Sequence, residues 1–251
     1  SGAPGLINSN WAFNYNRLKN FNRRLNIVGG ATNSSMTDYM AYLTSAYRQK
    51  YNGGIPGSEL SYTSTYEPFD NLNVPWLSIL AYEGYLMNES AANSGSWSSL
   101  LNAGEKVNPS YTLEEKGYID EYSLGWSGNI SNKFYVGASV NLRNIQYSAN
   151  SVYGETFGGG GGMSLANNYS TTGTGVNVNL GAIFVPVDFM RLGLSLHTPT
   201  FYSLTDYNYA KLDYNTEKSG WIATPEDAYT DYKIQSPFRY DVSVAFIAGQ
   251  K

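Results

Sequence analysis

The side chains that could take part in chemistry are few in this chain. The single histidine, His197, follows Arg191 in one segment, and no nucleophile stands at a recognisable catalytic spacing from it. Neighbouring carboxylates such as Glu114 and Glu115 would point to opposite faces of a strand, so they could not act as a pair. Cysteine is absent and no metal-ligand spacing is visible. We therefore expect a protein that is not an enzyme and that holds neither a metal nor a cofactor.

Two arginines are better candidates for function than the histidine. Arg143 and Arg191 each fall on the polar side of a segment in which apolar and polar residues alternate, and His197 lies on the same side as Arg191. An arginine in such a position either pairs with carboxylates of the same wall or holds the carboxylate of a ligand. The sequence leaves both interpretations open, so we take Arg143, Arg191 and His197 as candidate ligand-binding residues.

The strongest secondary-structure signal lies in residues 173–200. Apolar residues alternate with small or polar residues over 176–184 and again over 192–196, and the pattern breaks at 186–188. A period of two on both sides of a short break predicts a β-hairpin. One face is aliphatic and aromatic, and the other carries mainly asparagine, glycine and serine. This pattern is typical of a membrane barrel with lipid outside and a wet lumen inside.

Other stretches follow the same alternation. They are residues 9–28, 118–127, 134–143 and 239–247. Residues 129–133 are predicted to form a short turn, whereas 150–170 and 201–236 are predicted to be long connections. Short and long links then alternate, which places every long link at one end of an antiparallel up-and-down sheet. Six strands are fewer than the usual minimum of eight, so we expect an all-β chain, residues 1–251, that is one partial domain of a larger transmembrane β-barrel.

Residues 29–117 lack a long alternating run and are predicted to be a long extracellular loop insertion. It should contain two short amphipathic helices, near residues 34–50 and 75–88, with Ser35 and Asp38 as a capping signal for the first. Their apolar stripes either pack on each other and on the sheet or line a groove for a hydrophobic ligand. The stripe residues predicted to contact such a ligand are Met36, Tyr39, Met40, Leu43, Trp76, Ile79 and Leu80.

Composition narrows the classes of function further. The net charge is −4 and only 14% of residues are charged, so the chain has no basic surface for nucleic acid. No run of about 18 apolar residues exists, which excludes a helical membrane span. Tyrosine, with 23 residues, is unusually frequent, and it is favoured both at membrane–water interfaces and at carbohydrate or protein contacts. Because the chain opens without methionine or an apolar leader, we expect that any signal peptide has been removed.

Four quoted segments carry a resemblance to a known family. Residues 172–207 read TGTGVNVNLGAIFVPVDFMRLGLSLHTPTFYSLTDY, and residues 236–249 read SPFRYDVSVAFIAG. Both resemble the later barrel strands of the FadL/TodX outer-membrane transport family, in its Bacteroidetes branch. Residues 121–149, EYSLGWSGNISNKFYVGASVNLRNIQYSA, are similar to the preceding hairpin of that family, and residues 10–23, NWAFNYNRLKNFNR, to an earlier strand.

The resemblance implies a fourteen-stranded barrel that is plugged by an N-terminal hatch. It also implies uptake of hydrophobic molecules, such as long-chain fatty acids or aromatic hydrocarbons, across the bacterial outer membrane. The asparagine–proline–alanine phrase of the hatch and the last strands of the family are missing from the sequence. We therefore expect a partial barrel whose partners are outer-membrane lipid and a hydrophobic or amphiphilic small molecule.

A second class of function fits the tyrosine-rich connections equally well. In this alternative the chain is a surface-exposed protein that recognises glycan or protein through those loops. Solubility without detergent would favour the alternative, whereas strands with an aliphatic outer stripe favour the channel. The sequence carries no signal for an oligomeric state.

Overall fold

The computed structural model describes residues 5–47, 51, 53–226 and 228–248. These residues form one ten-stranded antiparallel sheet, one two-stranded sheet and two α-helices. In chain order the elements are β1 (Leu6–Asn20), β2 (Arg23–Val28), α1 (Met36–Ala46), α2 (Trp76–Glu83), β3 (Met87–Glu89), β4 (Trp97–Ser99), β5 (Val107–Ile130), β6 (Phe134–Phe157), β7 (Gly162–Val187), β8 (Met190–His197), β9 (Phe201–Asn215), β10 (Ser219–Ala223), β11 (Tyr229–Gln235) and β12 (Arg239–Phe246).

The large sheet follows the chain in order, which confirms the prediction of an antiparallel all-β fold. Its main path is β1–β5–β6–β7–β8–β12; β2 extends β1 along β5, and β9 extends β8 along β7. Strands β10 and β11 both pair with β9, as β12 pairs with β8. We call each strand position across the sheet a lane. Strands β1 and β2 share one lane, β8 and β9 share another, and β10, β11 and β12 share a third, so the ten strands lie in six neighbouring lanes. Among the described residues no pairing joins β1 to β12, so these two strands are the edges of an open sheet.

The register confirms the predicted separation of apolar and polar residues onto two faces. Leu180 pairs with Ala138 and Leu196, whereas Asn179 pairs with Ser139 and His197. Side chains directly opposite each other share a face. We call the face of Asn179 the inner face and the face of Leu180 the outer face. On the outer face Leu180 is 47% exposed, whereas Asn177 on the inner face is only 6% exposed.

Three strands are longer than the sequence pattern predicted. Strands β5 and β6 each have 24 residues and β7 has 26. The insertion predicted over 29–117 was therefore too long, since β5 begins at Val107. The connection predicted over 150–170 is a turn at residues 158–161, and the one predicted over 201–236 contains β9, β10 and β11. In these parts both faces carry polar residues or meet the helices, so no alternation marks the strands.

The first helix is capped as predicted. Ser35 accepts a hydrogen bond from the backbone N–H of Thr37, and the Asp38 carboxylate accepts one from the backbone N–H of Ser35. The predicted range of 34–50 was too long, because α1 ends at Ala46; residues 48–50 lie outside the described residues.

The second helix is shorter than the predicted range of 75–88. Helix α2 ends at Glu83, where the N–H of Gly84 still bonds to the carbonyl of Leu80, and Met87 already belongs to β3. The apolar residues Leu86 and Met87 continued the helical pattern in the sequence, but the chain uses them in the small sheet. Among the described residues, no helix combines the length and the apolarity needed to cross a membrane.

The hydrophobic core lies between the helices and the inner face of the sheet. Met163 and Leu165 of β7 share the face of Asn177, because the register of β7 with β6 is continuous. The helices of the insertion pack against this inner face. The members of the core that are fully buried include Met40, Ile55, Leu60, Ile79, Leu80, Leu86, Val107 and Leu212.

Candidate functional site

The inner face carries rows of small polar side chains that cross all six lanes. One row consists of Asn10, Ser127, Gly137, Gly181, Ser195 and Asp241. This row and its neighbours line a cavity of about 610 Å³ at the end of the sheet that carries the turns at 131–133 and 188–189. Farther along, the Asn141 Nδ2 and the Asn177 Oδ1 are buried without a hydrogen-bond partner in the described residues. The sequence predicted this polar wall correctly, and such a wall suits water and polar groups.

Arg143, on β6, is hydrogen-bonded to β5, to β9 and to the residue that precedes β9. Its Nε donates to the Glu121 Oε2 at 2.8 Å, and one terminal nitrogen donates to the Tyr202 hydroxyl at 2.7 Å and to the Thr200 hydroxyl at 3.1 Å. The arginine therefore pairs with a carboxylate of the wall, which was one of the two interpretations of the sequence. Glu121 and Tyr202 were not predicted as partners, and only the cross-strand register brings them to Arg143.

His197 belongs to a second polar cluster on the inner face. Its Nδ1 lies 2.9 Å from the Asn179 Oδ1, and its Nε2 lies 3.5 Å from both the Ser195 hydroxyl and the Asp241 carboxylate. The serine hydroxyl donates to the same Asp241 carboxylate at 3.1 Å, so it is not aligned on the imidazole as a nucleophile would be. The arrangement is that of a hydrogen-bonded histidine in a polar wall.

Arg191 does not join His197. The two residues lie on the same strand, but they are six positions apart, which is about 20 Å along a strand. Arg191 is exposed near the 188–189 turn and is paired in register with Ala245 of β12. The sequence placed Arg191 and His197 on one face, but it could not bring them to one site.

The predicted ligand groove between the helices is filled by packing. Met40, Ile79 and Leu80 are fully buried in the core, and Met36 and Trp76 pack against it partly buried. The two helices also meet through a hydrogen bond of 2.8 Å between the Thr44 and Ser78 hydroxyls.

The two remaining stripe residues lie outside this core. The Tyr39 side chain is exposed and Leu43 is half-buried. The structure therefore supports the packing interpretation for the stripe, because a ligand at Met40, Ile79 or Leu80 would have to displace core contacts.

A carboxylate that the sequence did not single out joins the helices to the sheet. Glu155 on the inner face of β6 is 3% exposed, and its carboxylate accepts hydrogen bonds from the Ser35 hydroxyl at 2.5 Å, from the backbone N–H of Met36 at 2.7 Å and from the Tyr153 hydroxyl at 2.6 Å. The carboxylate thus sits at the N-terminus of α1, where the helix dipole favours negative charge. The sequence separation of 119 residues between Met36 and Glu155 leaves no local signal from which this contact could be read.

Two more carboxylates form a polar network on the inner face between the core and the polar rows. Glu115 accepts from the Tyr147 hydroxyl at 2.6 Å and from Arg23 at 2.5 Å, and these bonds hold its pKa below the usual value. Asp206 accepts from the Tyr169 and Thr171 hydroxyls at 2.7 and 2.6 Å. Burial acts to raise the pKa of Asp206, but the hydroxyl donors outweigh it and the pKa is lowered.

Comparison with known proteins gives no relative for this chain. No protein-family model matches it. No curated protein and no solved structure matches it either. Support for a function therefore comes from the geometry and from the sequence resemblance alone.

Proposed function

We propose that this chain forms part of the wall of an outer-membrane β-barrel channel. The observation that carries the proposal is a band of apolar side chains on the outer face, exposed or half-buried and five cross-strand rows tall, opposite the polar rows of the inner face. The band includes Ile130, Phe134, Phe184, Leu192, Val136, Ala182, Leu194, Trp11, Trp126, Leu180, Leu196, Phe13, Leu124, Val140, Val178, Tyr122, Leu142, Val176 and Phe201.

The height of this band matches the apolar layer of a membrane. On β5 the band runs from Tyr122 to Ile130, which is about 27 Å along the strand, and a tilted strand crosses the bilayer in about 9–11 residues. Aromatic pairs lie at both margins of the band: Tyr15 with Tyr122, 5.3 Å between ring centroids, and Phe134 with Phe184, 4.6 Å. Aromatic girdles at two levels are a feature of membrane barrels.

The band ends abruptly on the side of the helices. In the next outer row Arg17 donates to Asp120 at 2.8 Å, and the same row continues with Asn144, Thr174 and Ser203. Charged and amide side chains would be costly in hydrocarbon but are well placed at a headgroup region. In the proposed orientation the insertion therefore lies outside the membrane, above this polar row.

The cargo that we propose is a hydrophobic or amphiphilic small molecule such as a fatty acid. The family resemblance is what supports this class of cargo. The cavity on the inner face also supports it. Polar residues such as Asn129 and Ser243 line this cavity together with Ile183 and Tyr135, and such a mixture suits a molecule that has a polar and an apolar part.

Placing a charge in the band tests the membrane part of the proposal. Leu180→Arg should cost about 2–4 kcal/mol of stability in lipid vesicles, because Leu180 lies in the middle row of the band. The matched control is Ser148→Arg, on the same face but beyond the polar row. Urea unfolding in vesicles measures both variants. Equal stability of the two variants would contradict a membrane-embedded band.

The cargo is tested in proteoliposomes that contain the barrel to which this chain contributes. A fluorescent fatty acid should enter them faster than it enters empty vesicles. A neutral sugar of similar size serves as the comparison molecule. If only the sugar entered faster, the proposed hydrophobic cargo would be wrong, whereas the proposal of a barrel wall would still stand.

A second candidate function is recognition of glycan at the cell surface. Tyr207 and Tyr229, 46% and 62% exposed with ring centroids 6.2 Å apart, lie on the outer face beyond the apolar band. Exposed tyrosines beside the amides of Asn150 and Asn168 are suited to stacking on sugar rings. A glycan array should then lose signal with Tyr207→Ala, while Tyr42→Ala, an exposed tyrosine on α1, should not change it.

A further inference from the structure

A cavity of about 500 Å³ lies on the insertion, where α2 meets the small β3–β4 sheet. The side chains that give it its character are Tyr62, Tyr82, Tyr85 and Trp97, together with the carboxylates of Glu83 and Glu89. Its volume falls in the range of small-molecule sites. None of these six residues belongs to the apolar helix stripe or to the polar wall of the sheet.

The aromatic walls of this cavity are held in place. Tyr82 and Trp97 meet edge to face, with ring centroids 5.7 Å apart and planes at 90°. The indole N–H of Trp97 donates to the carbonyl of Ile55 at 2.8 Å, which fixes the ring. Tyr62 and Tyr85 form the rim, where both side chains remain partly exposed. The side chains of Tyr62 and Tyr85 are thus accessible at the mouth, where Lys218 already lies over the Tyr85 ring.

The charged groups in the lining of the cavity are acidic, and Lys218 stands at its rim. Burial raises the pKa of Tyr62 to about 12, and the negative charges of Glu67 and Glu83 add to the shift. Burial and then the charges of Glu83 and Glu89 also raise the pKa of Tyr82. Among the described residues that line the cavity, none is basic.

The two carboxylates have different roles. Glu89 accepts backbone N–H groups of Gly95 at 2.9 Å and Asn93 at 3.0 Å, so it is occupied in holding a loop. In the part of the chain that the structure describes, Glu83 is not held by a comparable set of backbone donors. Burial raises the pKa of Glu83, and a hydrogen bond from the backbone of Tyr62 only partly offsets that effect. A cation that enters the cavity would therefore pair with the Glu83 carboxylate rather than with that of Glu89.

We propose that this cavity binds an organic ammonium cation, with the rings of Tyr62, Tyr82 and Tyr85 around the alkylated nitrogen and Glu83 as its counter-ion. Aromatic faces attract ammonium groups, and quaternary ammonium compounds are the ligands that such aromatic cages take. The rim shows the same chemistry within the chain, because the Lys218 Nζ lies 4.3 Å from the Tyr85 ring centroid and 2.9 Å from its hydroxyl. No group of three metal-binding acidic or histidine side chains occurs among the described residues, so a metal ion is not the better occupant.

Choline is the probe that tests this proposal, and 3,3-dimethylbutan-1-ol is its uncharged counterpart of the same shape. Isothermal titration of the chain in detergent should show choline binding about tenfold more tightly than the alcohol, since the cation is attracted by aromatic faces at a partly desolvated site. Equal binding of both molecules, or binding of neither, would overturn the proposal.

Variants then locate the site. Glu83→Gln and Tyr62→Leu should each weaken choline binding about tenfold, while the controls Glu226→Gln and Tyr42→Leu, both at exposed positions outside the cavity, should leave it unchanged. Lys218→Gln should tighten binding, because it removes a competing cation from the rim. Near-ultraviolet circular dichroism confirms that each variant is folded. Unchanged affinity in both cavity variants would show that choline binds elsewhere and would contradict the proposed site.

Discussion

At the scale of single residues, the contacts of Glu155 hold the insertion on the sheet. Its carboxylate satisfies two donors at the N-terminus of α1 and the Tyr153 hydroxyl in a site from which water is excluded. A buried donor that loses its partner costs about 1–3 kcal/mol, and more when the partner was charged. We therefore expect this side chain to contribute to the position of α1 in addition to the capping box.

We expect Glu155→Ala to lower the free energy of unfolding by about 3 kcal/mol, because three donors lose their common acceptor. Glu155→Gln should cost less, since the amide oxygen still accepts. Urea unfolding in detergent, followed by tryptophan fluorescence, measures both. Glu217→Ala, at an exposed position, is the control. A loss no larger than that of the control would show that α1 is held by other contacts.

A second residue-scale effect concerns pH. The Tyr147 hydroxyl is the largest cause of the lowered pKa of Glu115, whose ordinary value is 4.5. A lowered pKa in the folded state adds stability above the unfolded value, and this contribution disappears as the pH falls through the folded value.

We therefore expect Tyr147→Phe to be less stable than the unchanged chain at neutral pH, with the difference shrinking as the pH falls below 4.5. Unfolding curves at about pH 7 and about pH 3 measure the two differences, and Tyr42→Phe serves as the control. A difference that stays constant across this range would mean that the Tyr147–Glu115 bond does not set the pKa.

At the scale of elements, Gly117 marks the point at which the neighbour of β5 changes from β1 to β2. Its φ is +135°, its N–H bonds to the Asn22 side chain and its carbonyl to the N–H of Phe21. A Cβ at this position would stand 2.1 Å from the carbonyl oxygen of Gln146 on β6. Because this oxygen belongs to the backbone of a strand that is paired on both sides, it cannot move aside.

Gly117→Ala should therefore destabilise the chain by about 2–4 kcal/mol, from backbone strain and the clash together. Gly125→Ala on the same face of the same strand is the matched control, since its nearest neighbour would lie 3.8 Å away. Thermal unfolding compares the two variants. If both behaved alike, the break between β1 and β2 would not depend on this glycine.

At the scale of the whole molecule, the same long strands pass through two different environments. Toward the 131–133 and 188–189 turns, the outer face carries apolar side chains that are exposed or half-buried, and the inner face carries small polar side chains. Toward the helices, the inner face is buried under an ordinary hydrophobic core and the outer face is polar. The proposed membrane position follows from this change along each strand, because only the first zone would suit hydrocarbon.

The open edges of the sheet lead to a prediction about local stability. Strand β6 is paired on both sides, whereas β1 and β12 each have one neighbour in the sheet among the described residues. In hydrogen exchange of the detergent-solubilised chain, the amides of β1 and β12 that face away from the sheet should exchange faster than those of β6. Protection of both edges equal to that of β6 would show that they are paired, with each other or with another copy.

The sequence alone determined the local properties of this chain. Alternation identified strands wherever one face is apolar and the other polar, because a period of two is set by the strand geometry itself. For the same reason it assigned Leu180 and Asn179 to opposite faces, and the spacing of Ser35 and Asp38 marked the start of α1. These features depend on neighbours within a few residues, which is the range that a sequence pattern reports.

Only the tertiary structure decided the contacts between distant segments. It extended β6 and β7 through regions without alternation, buried Met40 and Leu80 in a core instead of a groove, and joined Met36 to Glu155 across 119 residues. The cavity between α2 and the β3–β4 sheet has the same origin. Such contacts depend on how separate faces dock, and docking is set by the complementary shape and polarity of both partners together, which neither segment carries by itself.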